Sequence, residues 1–541
     1  MDLLTWPWLA GLGLAPGLGW FDPAAHEIGR QVLQRGVAAV FLIAFVSTWR
    51  QFPALLGEHG LLPVPEHLAR LRAIEARADA TRGGTGRARR RLVGRPSLFR
   101  LRRLAYTDRR LRAMTVIGAV LAASVVVGLP QRGPAWLVAA VFLVMWALYL
   151  SIVDIGQTFY GFGWEMLLLE AGFLSAWTGP ADELMPQPLL VLVAWLLFRL
   201  EFGAGMIKWR GGSEWRDLTA MEHHHETQPM PGPLSRQAHL LPRWFHHCEV
   251  VANFVAQLVF PWLLFVPEPL ASIASFVVIV TQLWLVLTGN YAWLNWLTIV
   301  LAASLVSDPV WRWMLGLPAQ ETVGPAPSPV SWQLIVWAVV VLLVVRSREP
   351  LRNLFRRSQL MNAAFDRWQL VNAYGAFGTV TSRRVEMEIE GLAPADTDGA
   401  AADAADGLEP GGAARPSADA ERWLPYRFHG KPGDLKRIPR QWAPYHLRLD
   451  WLMWFLPFGP VTAQSWFLRL LVRLLEADPA TLRLLRVDPF DGRRPRAIRV
   501  RSYEYRFTTR AERRRTGCRW SRRLLDEPVP PVRLDAVGTD R

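Results

Sequence analysis

The feature that most limits what this chain can fold into is the recurrence of long apolar runs such as AWLVAAVFLVMWALYLSIV at 135–153. A bilayer core takes about 20 apolar residues per helix, and inside lipid every backbone polar group must be satisfied within the segment. Nine runs meet or approach that length, at 32–50, 112–130, 135–153, 162–178, 187–206, 249–267, 270–288, 291–307 and 330–347. The run at 162–178 carries Glu165 and Glu170 and fits a half-buried or re-entrant segment, and 291–307 is barely long enough. The expected architecture is a polytopic α-helical membrane bundle of nine spans, followed by a soluble domain. The 27 tryptophans agree with it, since indole rings settle at the lipid headgroup level.

The formal net charge of +15 raises nucleic acid or an anionic membrane as partner. Most of the excess is arginine beside apolar runs, which fits lipid headgroups. No basic platform interleaved with aromatics suits single-stranded nucleic acid, so membrane lipids are the expected partner and nucleic acid is not. The basic segments are 50–112, 207–248 and everything after 346. With nine spans, four helices separate each from the next, so all three share one face. The positive-inside rule makes that face cytoplasmic.

The chain divides into an interfacial N-terminal arm at 1–31, a membrane domain at 32–347 and a C-terminal domain at 348–541. The tract at 78–95 is low-complexity, and 392–420 reads as a disordered insertion. In the tail, Val385, Met387 and Ile389 alternate as on one strand face, as do Tyr503, Tyr505 and Phe507, while 464–486 has helical spacing. A mixed α+β or sandwich-like domain is expected. Two cysteines, Cys248 and Cys518, provide no disulfide framework.

A charge in hydrocarbon costs several kcal/mol unless paired or wet, which singles out Asp154, Glu165, Glu170, Arg199 and Glu201. Arg199 and Glu201 lie two apart on one helix and point to different sides, so Arg199 needs a partner such as Glu170 or Glu165. Ion pairs that fix helix register are the favoured reading over transport or catalysis. The segment 222–247 gathers most of the histidines beside Glu222 and Glu226. A zinc or iron site using His223, His225 and Glu226 is chemically conceivable, but the spacing matches no standard metal pattern. The reading is no metal and no cofactor, with Pro229, Pro231, Pro233 and Pro242 ordering an interfacial loop. No nucleophile elbow, Walker loop or dinucleotide fingerprint stands in a plausible context. GFGWE at 161–165 reads as a helix-end glycine cluster and GAGM at 203–206 as close helix packing. PYHLRLDWLMWFLPFGP at 444–460 suits either a short element lying on membrane or bundle, or core packing of the tail.

Several segments together resemble the lipase maturation factor family: GEHGLLPV at 57–64, YLSIVDIGQTFYGFGWEMLLLEAGFLS at 149–175 and LLFRLEFGAGMIKWRGGSEWRDLTAMEHHHETQPMPGPLS at 196–235. The tail adds NAYGAFGTVT at 372–381, KPGD at 431–434, PYHLRLDWLMWF at 444–455 and DPFDGRRPRAIR at 488–499. The resemblance implies a multi-pass protein of the endoplasmic reticulum membrane that acts as a chaperone-like maturation factor for secreted lipases, with no catalytic residue to transfer. It implies a signature loop of Trp215, Arg216, Asp217, Glu226, Thr227, Gln228, Pro229 and Pro231, and a tail signature of Tyr374, Gly375, Phe377, Gly378, Asp450 and Trp451. Together these would form a client surface. The family places loop and tail in the lumen, opposite to the charge count. Insertions rich in Arg and Ala suggest a bacterial homologue, whose membrane would be the plasma membrane. The alternative is a membrane-embedded enzyme or carrier in which Glu165, Glu170, Arg199 and Glu201 line a polar cavity joined to the histidine-rich loop. A more distant resemblance to the membrane domain of vitamin K-dependent carboxylases favours that alternative.

Overall fold

The computed structural model describes residues 21–81, 96–101, 104–318, 325–394 and 421–536. Most of the expected N-terminal arm, of the 78–95 tract and of the 392–420 insertion lies outside the described residues. The helical region runs α1 (Glu27–Leu56), α2 (Val64–Thr81), α3 (Asp108–Val126), α4 (Ala135–Ile155), α5 (Gly163–Ser175), α6 (Gln187–Arg210), α7 (Ala220–Thr227), α8 (Arg243–Phe254), α9 (Leu270–Thr288), α10 (Leu294–Ala303), α11 (Asp308–Leu315), α12 (Val330–Arg346) and α13 (Arg348–Phe355). The tail adds α14 (Arg448–Phe455) and α15 (Ser465–Leu475).

Nine spans are not what forms. Among the described residues five helical segments are long and apolar enough to cross a membrane: α1, α4, α6, α9 and the stretch Val330–Phe355. A sixth is reached only if α10 and α11, bent by 103° at their junction, count as one broken span. The three other runs fail for separate reasons. In α3 the first turn is occupied by Asp108, Arg109 and Arg110, with Arg112 close behind, which shortens its apolar part. At 13 residues α5 is about 20 Å long, short of a bilayer core, and every residue in it is buried. The run at 249–267 begins in α8, passes through a π-turn at Val255–Val259 and ends in a four-residue helix, Phe260–Leu263. That π-turn delivers Gln257, buried, toward α6.

The bundle closes on itself through polar ends as well as apolar faces. Asp308 at the start of α11 accepts the N–H groups of Glu27 and Ile28 at 3.0 Å each, supplying partners that the first turn of α1 lacks. Phe41 and Phe45 of α1 meet the Tyr149 ring of α4 edge-on at 5.8 and 5.6 Å.

The tail holds one four-stranded antiparallel sheet in the order β4 (Trp423–Pro425), β3 (Arg384–Leu392), β5 (Ile498–Phe507), β6 (Trp520–Val532), after a two-residue pair of β1 (Ala363–Ala364) with β2 (Asn372–Ala373). This is the α+β form of the expectation. Tyr503, Tyr505 and Phe507 pack with Trp520 and Ile438. In β3 the residues alternate as expected, but Val385 and Met387 are half-buried while the face bearing Arg384, Glu386 and Glu388 is buried, because its charges are partnered: Glu388 accepts from Arg427 at 3.0 Å and Arg522 at 2.6 Å. The helical spacing across 464–486 is broken at Ala477, which takes a left-handed φ of 54°, before Pro479 opens a new turn.

The tail lies against the bundle and against both long loops. Arg469 of α15 reaches Glu66 of α2 at 2.8 Å, and Gln51 of α1 donates to the His446 carbonyl at 2.7 Å. Described residues of the basic segments 50–112 and 207–248 thus both contact the tail, Arg236 donating to the Thr508 carbonyl and Arg384 to the Glu226 carbonyl. Cys248 and Cys518 are both free thiols.

Candidate functional site

The signature loop is held from two sides. Trp215 is buried and its indole N–H donates to the Phe377 carbonyl at 2.8 Å, while the Lys208 ammonium sits 4.8 Å from its ring centre. After α7 the chain leaves helical geometry at Gln228, whose side chain is fully engaged. It donates to the Thr288 carbonyl at 2.7 Å and accepts from the Tyr291 hydroxyl at 2.6 Å. Arg384 of β3 gathers the loop carbonyls, donating to Glu226 at 2.7 Å, Gln228 at 2.5 Å and Pro229 at 3.2 Å. In return the Glu226 carboxylate accepts the Phe507 N–H at 2.5 Å, and Trp454 donates to the Thr227 carbonyl at 2.9 Å. Thr227, Gln228, Pro229 and Pro231 are buried by these contacts, whereas Arg216 and Asp217 are exposed.

Two of the acids expected in the membrane, Glu165 and Glu170, are where the tail is fastened. Glu170 pairs with Arg199, and its second oxygen accepts from the Asn372 N–H at 2.9 Å and the Tyr374 hydroxyl at 2.7 Å. Arg199 also donates to the Asn372 carbonyl at 2.6 Å. Glu165 is fully buried and takes Arg448 of α14 at 2.6 Å, with the Tyr149 hydroxyl on its other oxygen. The Arg448 guanidinium lies 3.4 Å from the Tyr160 ring centre. Burial, then the Arg448 cation, pushes the adjacent His446 imidazole down to about 4. Asp154 is paired differently, with Arg100 at 3.0 Å near the end of α4.

Glu201 points the other way on α6, as its spacing from Arg199 requires. It accepts from Gln257 at 3.1 Å and Gln282 at 2.8 Å, and Lys208 about two turns further on donates to Asn253 and Gln257, both at 2.9 Å. This chain of amides forms one wall of a cavity of about 940 Å³. The rest of the wall is supplied by α7 and the signature loop (His224, Gln228), by the tail signature (Phe377, Trp451) and by Trp454 and Phe455. It is an apolar chamber with a polar strip, of the size that takes a small molecule or a chain segment. Glu165, Glu170 and Arg199 do not line it. The polar cavity expected from all four charges is thus replaced by one in which Glu201 alone of them takes part.

Several sequence expectations resolve here. Arg199 takes Glu170, not Glu165. The small residues of GAGM do pack closely, but Gly203 faces the Tyr374 carbonyl of the tail rather than only another helix. The 444–460 segment lies on the bundle, with Arg448 to Met453 buried. Asp450 accepts the Gly430 N–H at 2.5 Å, and burial pushes its carboxyl up to about 7. The conceivable metal trio does not assemble: Glu226 is committed to Phe507 and His239, and His223 is half-exposed. His225 instead meets His246 and Glu249, at 3.2 and 2.8 Å along the two histidine–carboxylate contacts. Sequence reading missed His246 and Glu249, although H-x-x-E at 246–249 is the i, i+3 spacing that puts two side chains on one helix face. Lys208, Gln257, Gln282 and Arg384 left no comparable signal.

Comparison with known proteins covers most of the chain. The profile of the lipase maturation factor transmembrane domain matches residues 28–313, and that of the lipase maturation factor C-terminal domain matches residues 370–530. Lipase maturation factor 1 of Mus musculus is 34% identical, covering 94% of this chain and 87% of the relative. The Homo sapiens protein of the same name is 32% identical over 97% and 92%. Lipase maturation factor 2 of Homo sapiens is 29% identical over 94% and 83%. No solved structure matches.

Proposed function

Because this chain belongs to the lipase maturation factor family, we propose that it is a membrane-embedded maturation factor that promotes the folding of a secreted lipase. The observation that carries the reading is the continuity of the match, which spans both the bundle and the tail at over 30% identity. The wiring of the signature loop to the tail by Arg384, Glu226 and Trp454 supports a single composite surface. On it, the exposed Arg216 and Asp217 are the loop's groups free to meet a client.

The enzyme-or-carrier alternative loses its main support, because Glu165, Glu170 and Arg199 are closed into ion pairs away from the cavity. We place the protein in the endoplasmic reticulum membrane, as in the family, or in the plasma membrane of a bacterial host, with the loop and tail on the exit side in either case. A chaperone working there meets its client as it emerges.

The test is co-expression with a secreted lipase of the lipoprotein lipase type in cells lacking their own maturation factor, measuring lipase activity per secreted lipase molecule. Rescue is expected from the wild type, and loss of rescue from Arg216→Glu/Asp217→Lys in a protein that remains folded. Reporters fused at residue 541 and inserted near residue 212 fix the side. A cytoplasmic signal at both positions would remove a secreted lipase as direct client.

A further inference from the structure

The function above leaves one buried cluster unused. His225 on α7 faces His246 and Glu249 on α8, and one ligand atom from each can be chosen so that all three lie within 4.8 Å of one another. Both histidine side chains are buried and that of Glu249 is 9% exposed. We propose that His225, His246 and Glu249 form a binding site for a divalent transition-metal cation of the zinc class, opening on the 940 Å³ cavity. The inference is independent of the lipase reading.

The donor chemistry is that of a borderline cation, since neutral imidazole and carboxylate together suit zinc or iron and are poor for calcium or magnesium. The geometry agrees. Four ligands about 2.05 Å from a zinc ion are about 3.3 Å apart along each edge of the tetrahedron, and with Glu249 Oε2 as the carboxylate ligand two of the three edges here are already 3.4 and 2.8 Å. The supporting contacts are those that orient metal ligands. The Trp284 indole N–H donates to the Glu249 carboxylate at 2.8 Å, holding it in place. The far nitrogen of His246 lies 3.4 Å from the His239 carbonyl, an acceptor that leaves Nδ1 free to carry a lone pair toward the cation.

Charge points the same way. Among the described residues the Glu249 carboxylate has no arginine or lysine bonded to it, only the two imidazoles and the indole. Three protein ligands leave a coordination position open, and because Glu249 and Trp284 are on the cavity wall, a fourth ligand would come from the cavity. The neighbouring pair of His247 with Glu222 at 3.4 Å is more exposed and stands outside the cluster.

The experiment uses the full-length protein in detergent, stripped with a chelator and titrated with Co²⁺ and Zn²⁺. One equivalent per chain is expected, with cobalt ligand-field bands of a nitrogen–oxygen site and no sulfur charge-transfer band. Glu249→Gln and His246→Gln should each weaken binding by about 100-fold or more, since even an outer contact is worth 10–100-fold. His247→Gln should leave the equivalent in place. No stoichiometric binding by the folded wild type would overturn the proposal, and so would unchanged binding in a folded His225→Gln/His246→Gln variant. If the variants do not fold, X-ray absorption on the zinc-loaded wild type decides. Two imidazoles in the first shell support the site, and sulfur or a ligand set without imidazole overturns it.

Discussion

Two sets of buried charge lie on opposite sides of α6, and they are built on opposite principles. On the Arg199 side, each acid is closed against an arginine and its second oxygen is taken as well: Glu170 pairs with Arg199 and accepts from Asn372 and Tyr374 of the tail, and Glu165 pairs with Arg448 of the tail and accepts from Tyr149 of α4. On the Glu201 side, acid and lysine never touch; amides of Gln257, Gln282 and Asn253 stand between them, and the strip faces a cavity. A closed pair has nothing left to offer a ligand and everything to lose if one partner goes. A strip of neutral donors and acceptors can exchange partners at little cost. The difference separates what fastens the tail to the bundle from what is open to use.

The largest expected effect breaks the first set. Arg448→Met leaves the Glu165 carboxylate fully buried without its cation, a loss of about 3–5 kcal/mol for a broken buried pair. Unfolding in a mixed-detergent titration should shift accordingly, and limited proteolysis should release the tail. Glu170→Gln strands Arg199 in the same way, with an expected loss in the same range. Tyr374→Phe, which removes a single hydrogen bond to a charged acceptor, should cost about 1.5–3 kcal/mol. A double-mutant cycle between Glu170 and Tyr374 should show coupling of about 0.5–3 kcal/mol. Additive losses would mean that the tail signature is not held by the membrane acid.

Glu201→Gln sharpens the comparison from the other side. A glutamine can still accept from Gln257 or Gln282, so the expected change is about one net hydrogen bond, 0.5–1.5 kcal/mol. A loss as large as that of Glu170→Gln would abolish the distinction between the two sides of α6. The same logic changes how Glu170 can be used as a probe. Loss of lipase rescue in Glu170→Gln would report a loosened tail and not a missing catalytic acid.

How much of this could be read in the sequence follows from what each signal depends on. Run length located the starts of α4, α6 and α9 to the residue, because hydrophobicity over 20 positions is a local property. It overcounted spans where burial came from protein rather than lipid: α5 is apolar because the bundle and tail surround it on every side. The i, i+2 spacing of Arg199 and Glu201 correctly sent them to different faces. Pairing partners were legible only within the bundle, so Glu170 with Arg199 could be anticipated, while Arg448 with Glu165 joins residues 283 positions apart and leaves no pattern. The buried acidic face of β3 went unread for the same reason. Its partners Arg427, Lys431 and Arg522 come from two other tail segments, the stretch after β4 and β6.

The smallest effect concerns the tail's own buried acid. Burial holds the Asp450 carboxyl at about 7, and burial draws the nearby Lys431 ammonium, 2.8 Å from Glu386, down to about 8. A carboxyl raised above its unfolded value of about 3.9 binds more protons in the folded state. Its contribution is therefore fully present below about pH 4 and is lost as pH rises through 7. The lysine has the opposite sign: with an unfolded value of about 10.4, its depressed folded value makes stability increase as pH rises from about 8 to 10. Between pH 5.5 and 7.5 the Asp450 slope should dominate, so the tail should melt at a lower temperature at the higher pH. Asp450→Asn keeps an acceptor for the Gly430 N–H and removes the titration, and it should flatten that slope while leaving the pH 5.5 melting temperature nearly unchanged. A slope that survives the substitution would assign the pH dependence to a group other than Asp450, of which Glu226 in the signature loop, also raised by burial, has the matching sign.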